Sequence, residues 1–474
     1  MCPGSDIESL GKDLNGDHQH QLLRSYNEET GDGDKLIHSC LQMINVGDEL
    51  LSIGKISGPI MMASMLIQSR TIISMLFLSH LGQEELAGGS LAMGFGNITG
   101  VCHQRSILWD GSHLRPSLRR QTILGQDPDA TKIAEVFLVS FIPELIAQAL
   151  LHPIRIFLKS QGITTPITMA AVCAVLLHPL INYIFTAYFQ LGVKGIALAL
   201  ACTTFNLNLG LMVYMVVSET PLKPWHGVKV LLIFQGWKPL LTLALPSLFS
   251  VCLEWWWYEI MLFLCGLLDS PKASVAAMGI LIQTTGFLYN FPYSLSSGIS
   301  TRVSQALGAG QPSCAHRAAN IGLVLAFLFG VSAFVVTTVL RSWWGKLFTD
   351  EPQILDLIST VLPILGLCEV GNSPQTAACG VLTGTARPKD GVRINLCSFY
   401  IVGLPVAILT TFTFKLGFKG LWFGLLAAQI SCVCMMIYTL VQTDWKHQAK
   451  RADKLTTAAA DKDDLETSLL TSDH

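Results

Sequence analysis

Acidic side chains lie inside long apolar segments of this 474-residue chain. Glu254 and Glu259 interrupt an otherwise apolar and aromatic run, and Glu369 lies in a later one. A carboxyl group is costly to place in hydrocarbon, so an acid there usually marks the path of an ion or a proton. Burial disfavours its ionised form, which suits a group that takes up and releases protons. The placement of these acids therefore predicts a site that binds a cation reversibly. The alternative is that each is held by a hydroxyl or backbone partner.

Polar and aromatic residues near these acids are candidates for binding an organic molecule. Aromatic faces can stack on a cationic or planar compound. The alternative is that they pack against other helices or anchor a helix at the membrane surface. The candidates for substrate binding are Gln283, Tyr289, Asn290, Trp255 and Tyr258.

The composition is that of a membrane protein. Hydrophobic residues make up 51% of the chain and charged residues only 14%, with a mean hydropathy of +0.48, whereas soluble proteins carry roughly a quarter charged residues. The net charge of −2 gives no signal for nucleic-acid binding. The thirteen cysteines form no Cys-x-x-Cys pair, and there is no histidine cluster or nucleophile elbow. We therefore expect no metal, no cofactor and no enzymatic activity.

Apolar runs long enough to cross the bilayer position these candidates. A transmembrane helix needs roughly 20 apolar residues. The stretch 86–101 is apolar but falls short of that length, and the tails 1–47 and 443–474 are polar and predicted to be disordered. The sequence predicts ten spans, near 51–79, 133–154, 166–189, 193–217, 239–268, 275–300, 318–340, 354–384, 394–414 and 418–441.

Basic residues predict the orientation of these spans. Cytosolic loops of membrane proteins carry an excess of Lys and Arg, and basic groups here follow alternate spans. This pattern places both termini in the cytosol. Lys415 and Lys419, on the opposite side, weaken it slightly. The residues assigned to the cytosolic side are Arg155, Lys159, Lys223, Lys229, Lys238, Arg302, Arg317, Arg387, Lys389, Arg393, Lys446, Lys450 and Arg451.

The chain contains an internal repeat. The sequence Met75–Leu78 recurs at Met261–Leu264, 186 residues later, and the pattern of Leu191–Gly195 recurs at Leu416–Gly420, 225 residues later. The offset therefore increases by 39 within the first copy, about one helix with its connection. Two copies of six spans would be parallel repeats, and transporters built this way bind substrate between the halves and alternate access by rocking. The alternative is a repeat kept only for folding.

Several motifs carry a resemblance to a known family. They are Pro246-Ser247 followed by Val251–Glu259, then Arg302–Gly310, His152-Pro153 with Gln161-Gly162, Gly380–Gly384 and Leu416–Gly420. Over about residues 50–101 and 124–446 the chain resembles the multidrug and toxic compound extrusion (MATE) family, and most closely its plant DETOXIFICATION branch.

This resemblance implies an all-α polytopic fold of two pseudo-symmetric six-helix lobes. It also implies a proton-driven antiporter that exports organic cations, secondary metabolites, xenobiotics or hormones across the plasma, vacuolar or another internal membrane. The expected partners are small organic solutes, protons and the lipid bilayer, with sodium less favoured, no nucleic acid, and a monomeric chain.

The resemblance also assigns roles to the acids. Glu254 holds the position of the family's cation-coupling acid, and Glu259 that of a second acid found in many members. Many members place an acid where this chain has Asn372, and Glu369 lies one helical turn earlier on a similar face. We expect Glu369 to take over the role, or Asn372 to act as a neutral ligand. In the N-half, Glu144 and Asn182 are weaker candidates. The first apolar segment offers Gln68 and Arg70 but no Asp, so a bacterial-style acid site is not predicted there.

Residues 102–121 depart from the family. They read CHQRSILWDGSHLRPSLRRQ, and such charges cost about 2.5–3.5 kcal/mol each at a helix centre, so this segment cannot span. One base later, the permitted codons allow the family's Gly-Met-x-Pro-x-Cys-Gly-Gln-Ala pattern; Trp109-Asp110, for example, must become Gly. We interpret the segment as a reading-frame error that truncates helices 2 and 3. The alternative is a genuine basic loop.

These observations predict five regions. They are a cytosolic tail (1–47), an N-lobe (48–217, defective at 102–123), an inter-lobe loop (218–238), a C-lobe (239–442) and a second tail (443–474). The hypothesis is a proton-coupled antiporter. Its rivals are a sodium-coupled member of the same family and a non-transporting truncated or regulatory product.

Overall fold

The computed structural model describes residues 33–103, 128–160, 163, 165–218 and 252–453, with side chains described from residue 46 and not at 94–103, 128–131 or 159–160. These parts of the chain are helical and contain no strand, so the predicted all-α class is confirmed. The chain divides into two compact units, with the boundary between Ser52 and Ile53. The described part of the first unit is helical, with Ser52 Oγ donating to the carbonyl of Asp48 at 2.8 Å.

The N-half of the chain contributes five helices. The first begins at Gly33, inside the tail for which disorder was predicted, because Ile37, Leu41 and Ile44 recur at helical spacing. The helices are α1 (Gly33–Leu81), α2 (Gln83–His103), α3 (Pro128–Ser160), α4 (Thr165–Tyr183, extended by a π-helical turn Ile184–Tyr188) and α5 (Val193–Ser218).

The C-half contributes seven described helices. Proline at the first or second position begins four of them, where its missing N–H costs nothing. The helices are α6 (252–265), α7 (Pro271–Gly308), α8 (Pro312–Trp344), α9 (Pro352–Gly384), α10 (Pro388–Asn395, continuing as Leu396–Gly403, Leu404–Ile408 and Leu409–Thr413), α11 (Phe418–Val441) and α12 (445–453).

Eight described helices are long and apolar enough to cross a membrane. They confirm eight of the predicted spans and a multi-pass membrane protein. Helix α7 covers the predicted span 275–300 but is not among the eight, since Gln283, Asn290 and several serines lower its hydropathy. The eight are Val46–Leu81, Lys132–Leu158, Thr165–Tyr188, Val193–Ser218, Pro312–Leu347, Pro352–Gly384, Pro388–Thr413 and Phe418–Val441.

The predicted break lies mostly outside the described residues. Helix α2 runs without interruption to His103, so the apolar stretch 86–101 belongs to a helix of 21 residues, about 31 Å long. It is not one of the eight apolar spans. Residues 104–127, like the predicted inter-lobe loop 218–238 apart from Ser218, are not described.

The apolar core joins the two halves of the chain at one end of the bundle. One cluster contains residues from the end of α1 and from the starts of α2, α3 and α5 in the N-half. They pack with residues from the end of α6 and from the starts of α7, α9 and α11 in the C-half. At the other end the described core splits in two. One cluster joins α3, α4 and α5 with Ala63, and another joins α7 to α11 with Ile53. We call these the closed end and the open end. Apart from α1, the described residues of the two halves share a core at the closed end alone.

Glycines allow the closest helix contacts in the C-half. A Cβ atom at Gly330 of α8 would lie 2.7 Å from the carbonyl oxygen of Glu369 and 2.8 Å from Cα of Val370 in α9. Small residues at such contacts let membrane helices approach closely. Gly330 therefore sets the position of the α9 backbone at Glu369.

Substitution of Gly330 by leucine is expected to destabilise the protein by about 1–3 kcal/mol or more, because the groups in its way are backbone atoms. Thermal unfolding in detergent measures the effect. The matched control is Gly54→Leu, since Gly54 is also inside a helix and has no atom within 4 Å of its added Cβ. Equal melting temperatures for the two variants would contradict the packing argument.

Candidate functional site

A cavity of about 440 Å³ lies in the C-half toward the open end. Its walls come from the later turns of α7 and α9 and the first turns of α10, and Glu254 of α6 reaches it. Ser296, Ser300 and Thr376 bring hydroxyl-bearing side chains to a lining that is otherwise largely apolar. Among the described lining residues, Glu254 is the charged one. The cavity therefore combines one acid with an uncharged, largely apolar wall that carries a few hydroxyl groups.

Glu254 is 8% exposed and lines two spaces at once. The second is a recess of about 10 Å³, enough for about one water molecule. No hydrogen bond from the described part of the chain reaches the Glu254 carboxyl. Within the described part of the chain, the Glu254 carboxyl therefore faces the cavity without a hydrogen-bond partner.

Three of the predicted substrate residues surround Glu254. Trp255 packs against Tyr258 with ring centroids 6.1 Å apart, and it meets Tyr289 edge-on at the same distance. Tyr289 lines both the cavity and the recess, and Trp255 and Tyr258 line the recess. The structure thus brings Trp255, Tyr258 and Tyr289 together beside the acid.

The other two predicted substrate residues are engaged elsewhere. Gln283 is 4% exposed, and its Oε1 accepts a hydrogen bond from Nε2 of Gln68 at 3.3 Å. This bond joins α7 to α1 and therefore links the two halves. Asn290 Nδ2 donates back to the carbonyls of Gly286 and Phe287 at 2.9 and 3.2 Å. Neither side chain lines the described cavity.

Glu369 and Asn372 form a second polar group inside the C-half. Asn372 Nδ2 donates to Glu369 Oε2 at 3.0 Å, and Gln429 Nε2 of α11 lies 3.4 Å from Asn372 Oδ1. All three residues are almost fully buried. The amide atoms of Gln375 and the hydroxyl of Ser373 are also buried, without a hydrogen-bond partner in the described structure. Gln429 Oε1 is likewise buried and unbonded in the described structure, so this group retains an unused acceptor.

The two acid sites are electrostatically linked. Glu254 lies within electrostatic range of Glu369, and both lie within electrostatic range of Tyr258. Glu259, five residues after Glu254, is only partly buried and does not line either space. The helical spacing explains this, since the two acids of α6 point about 140° apart. The sequence singled out Glu369 and Asn372 but missed Gln429, whose pairing across 57 residues has no local signal.

A match to a known family decides the identity of the chain. The MatE family model matches residues 59–104, 121–184 and 246–409. The chain belongs to the MatE family. The residues between its first two matched segments, 105–120, fall in the segment that departs from the family's pattern.

Similar proteins span most of this MATE chain. Protein DETOXIFICATION 53 of Arabidopsis thaliana is 58% identical over 459 residues, covering 88% of this chain and 93% of the relative. Protein DETOXIFICATION 48 of the same plant is 46% identical, covering 86% and 83%. Multidrug and toxin extrusion protein 1 of Homo sapiens is 29% identical, covering 87% and 78%. These matches confirm the resemblance to plant DETOXIFICATION-type MATE proteins, a family of efflux transporters for small organic solutes.

Solved structures confirm the fold. The crystal structure of the eukaryotic MATE transporter AtDTX14 matches with a TM-score of 0.76 and 25% identity, covering 86% of this chain and 99% of that one. The Vibrio cholerae MATE transporter VcmN in its bent form matches with a TM-score of 0.60 at 16% identity, covering 87% and 99%, and shows the fold alone. The predicted MATE fold is therefore observed across the described helices.

Proposed function

We propose that this MATE protein is built for proton-coupled antiport of organic solutes. The observation that carries the proposal is Glu254, a buried acid without a described protein partner that faces the C-half cavity. A proton entering this cavity neutralises Glu254, and its release restores the charge. Because a ligand shifts an equilibrium by its differential affinity for two states, proton uptake can drive the change between them.

The lining of the cavity favours an organic cation or a neutral, planar compound. One acid, two tyrosines and several hydroxyls supply charge, stacking and hydrogen bonds. The volume of about 440 Å³ is in the range of small-molecule sites, roughly 300–1,000 Å³. Glu254 serves both ligands in this proposal, so substrate and proton compete for one carboxyl group.

The packing of the core supports alternating access. Among the described residues, the two halves share a core at the closed end and, apart from α1, form separate clusters at the open end. The predicted cytosolic residues Arg302, Arg317 and Arg387 lie at the open end, where α7, α8 and α9 begin or end. By the basic-loop rule this end faces the cytosol, as do both termini, and the state is inward-facing.

A truncated, non-transporting product is the second candidate function for the chain as written. The family match skips 105–120, and residues 102–121 carry several charges. The N-lobe would then lack a helix that the rocking of two complete lobes requires. A transcript that encodes residues 102–121 as written, with no longer form beside it, would contradict the reading-frame interpretation.

Transport in proteoliposomes tests both candidates. The 474-residue chain is compared with a version restored in helices 2 and 3, with tetraethylammonium as the probe and a pH gradient as the driving force. The restored version is expected to transport at least about tenfold faster, because alternating access needs both lobes. Equal rates would show that residues 102–121 are no defect. A folded restored version that transports none of a panel of organic cations, anions and neutral compounds would contradict the antiport proposal.

Replacing sodium by potassium separates proton coupling from sodium coupling. Transport by the restored version is expected to persist without sodium and to stop when the pH gradient is dissipated. The reverse result would favour the sodium-coupled alternative.

A further inference from the structure

A buried pair of opposite charges lies inside the N-half. Arg70 of α1 is 8% exposed and Glu144 of α3 is 1% exposed. Nη2 of Arg70 donates to Oε1 of Glu144 at 2.8 Å, and Nη1 donates to the hydroxyl oxygen of Thr204 in α5. Gln148 also donates to Oε1 of Glu144, at 2.8 Å. The guanidinium is thus held by a carboxylate and a neutral oxygen from two other helices.

The pair is incompletely satisfied. Glu144 Oε2 and Arg70 Nε are buried and have no hydrogen-bond partner in the described structure. The desolvation of a buried ion pair is repaid only when the remaining polar atoms are also bonded. Stability alone therefore explains this arrangement poorly. A carboxylate with neighbouring neutral oxygens is, however, the chemistry of a site for a monovalent cation.

The neighbouring histidine supplies no competing charge. The hydroxyl of Thr203 donates to the carbonyl of Ala199 at 2.7 Å, so its oxygen accepts from Nδ1–H of His178, 2.7 Å away. Nε2 of His178 is then the acceptor for Ser74 Oγ at 3.0 Å and Asn182 Nδ2 at 2.9 Å. The bonded ring is the neutral imidazole with both nitrogens satisfied.

The surrounding charge disfavours a second, free cation. Arg155 of α3 carries a second guanidinium group, which lies within electrostatic range of Arg70. A mobile cation approaching Glu144 therefore meets the positive charge of Arg70, which already occupies the carboxylate. The charge of Glu144 is balanced by Arg70 from within the chain, whereas the carboxyl of Glu254 has no partner among the described residues.

We propose that Arg70 is a tethered cation that permanently fills an N-half cation site built from Glu144 and Thr204. A free coupling cation is then taken up in the C-half alone. The restriction of cation uptake to the C-half rests on the proposed antiport, whereas the filled N-half site does not.

Removal of the tethered charge should open the site to a small cation. Arg70→Ala is expected to lower the melting temperature of the 474-residue chain in detergent by about 5 °C or more, because it leaves a buried charge unpaired. Millimolar guanidinium should raise it again by at least about 2 °C, since it binds only the folded state. Tetramethylammonium, too large and without N–H donors, should not.

Two controls make the result specific. The unmodified protein should not respond to guanidinium at these concentrations because its site is filled. Arg70→Ala/Glu144→Gln should not respond because the acid is gone, yet should be more stable than Arg70→Ala. If guanidinium acts no better than tetramethylammonium on Arg70→Ala, or equally on all three proteins, the tethered-cation proposal is wrong.

Folding failure of the single variant leaves the proposal testable. If Arg70→Ala cannot be purified, the yield of folded protein is compared between Arg70→Ala and Arg70→Ala/Glu144→Gln. The double variant is expected to recover folded protein at least severalfold, and no recovery would overturn the proposal. These measurements need no transport, so their failure is distinct from failure of the antiport proposal.

Discussion

Glu254→Gln is expected to abolish transport driven by a pH gradient in a version of this MATE protein with complete helices 2 and 3. Glutamine keeps the shape of the side chain but cannot exchange a proton in the working range. A state change powered by protonation of Glu254 then loses its driving ligand, and a loss of at least about tenfold follows. The measurement is uptake of a labelled organic cation into proteoliposomes, with the pH gradient set by buffer exchange.

The matched control for this result is Glu259→Gln. Glu259 lies on the same helix, is only partly buried and does not line the described cavity. Its replacement should reduce transport far less than replacement of Glu254, although the family resemblance offers it as a second coupling acid. Normal efflux from Glu254→Gln would refute the assignment. Equal losses from both variants would mean that coupling does not run through the cavity.

Removal of the acid Glu369 from α9 is expected to abolish transport. Introduction of an acid one turn along the same helix is expected to restore it. Glu369→Asn should reduce pH-driven transport by at least about tenfold if Glu369 serves the coupling cycle together with Glu254. The two carboxyl groups lie within electrostatic range of each other. In the double variant Glu369→Asn/Asn372→Glu the chain regains an acid one turn along the same face, and transport should recover most of its rate.

The comparison separates a proton-binding role from a structural one. Asn372 and Gln429 already form one hydrogen-bonded group with Glu369, so the exchange keeps a donor and an acceptor in the same place. Melting temperatures of the single and double variants in detergent check that both fold. If Glu369→Asn transports at the original rate, Asn372 or Glu254 alone suffices. If the double variant stays inactive while folded, the position of the acid matters more than its presence.

Local pattern and composition predicted the class of the protein and the elements that carry its candidate site. Apolar runs of bilayer length predicted eight spans that the structure contains, because hydrocarbon admits little else than an apolar helix. The cost of an acid in such a run singled out Glu254, Glu259 and Glu369. The span prediction succeeds because it depends on residues close together in the chain, whereas the roles of the three acids remain predictions.

Polarity within a helix was a poorer guide to contacts. Asn290 was expected to face the substrate, but its amide turns back onto its own backbone. Gln283 was expected in the same cavity, but it bonds to Gln68, 215 residues earlier. A polar side chain in a membrane helix must satisfy its hydrogen bonds, and several partners can do so. The choice among them depends on which helices become neighbours.

The sequence by itself determined that this is a multi-pass membrane protein with an internal repeat, buried acids and a segment that departs from the family. The tertiary structure decided which of the polar residues meet. It left the carboxyl of Glu254 facing a cavity, joined Glu369 to Asn372 and Gln429, and paired Glu144 with Arg70. Glu254 and Glu144 both lie in apolar runs, yet the first faces a cavity and the second is paired with an arginine. The physical reason is that a buried charge is governed by groups brought to it from other helices, across distances in the chain that no local pattern spans.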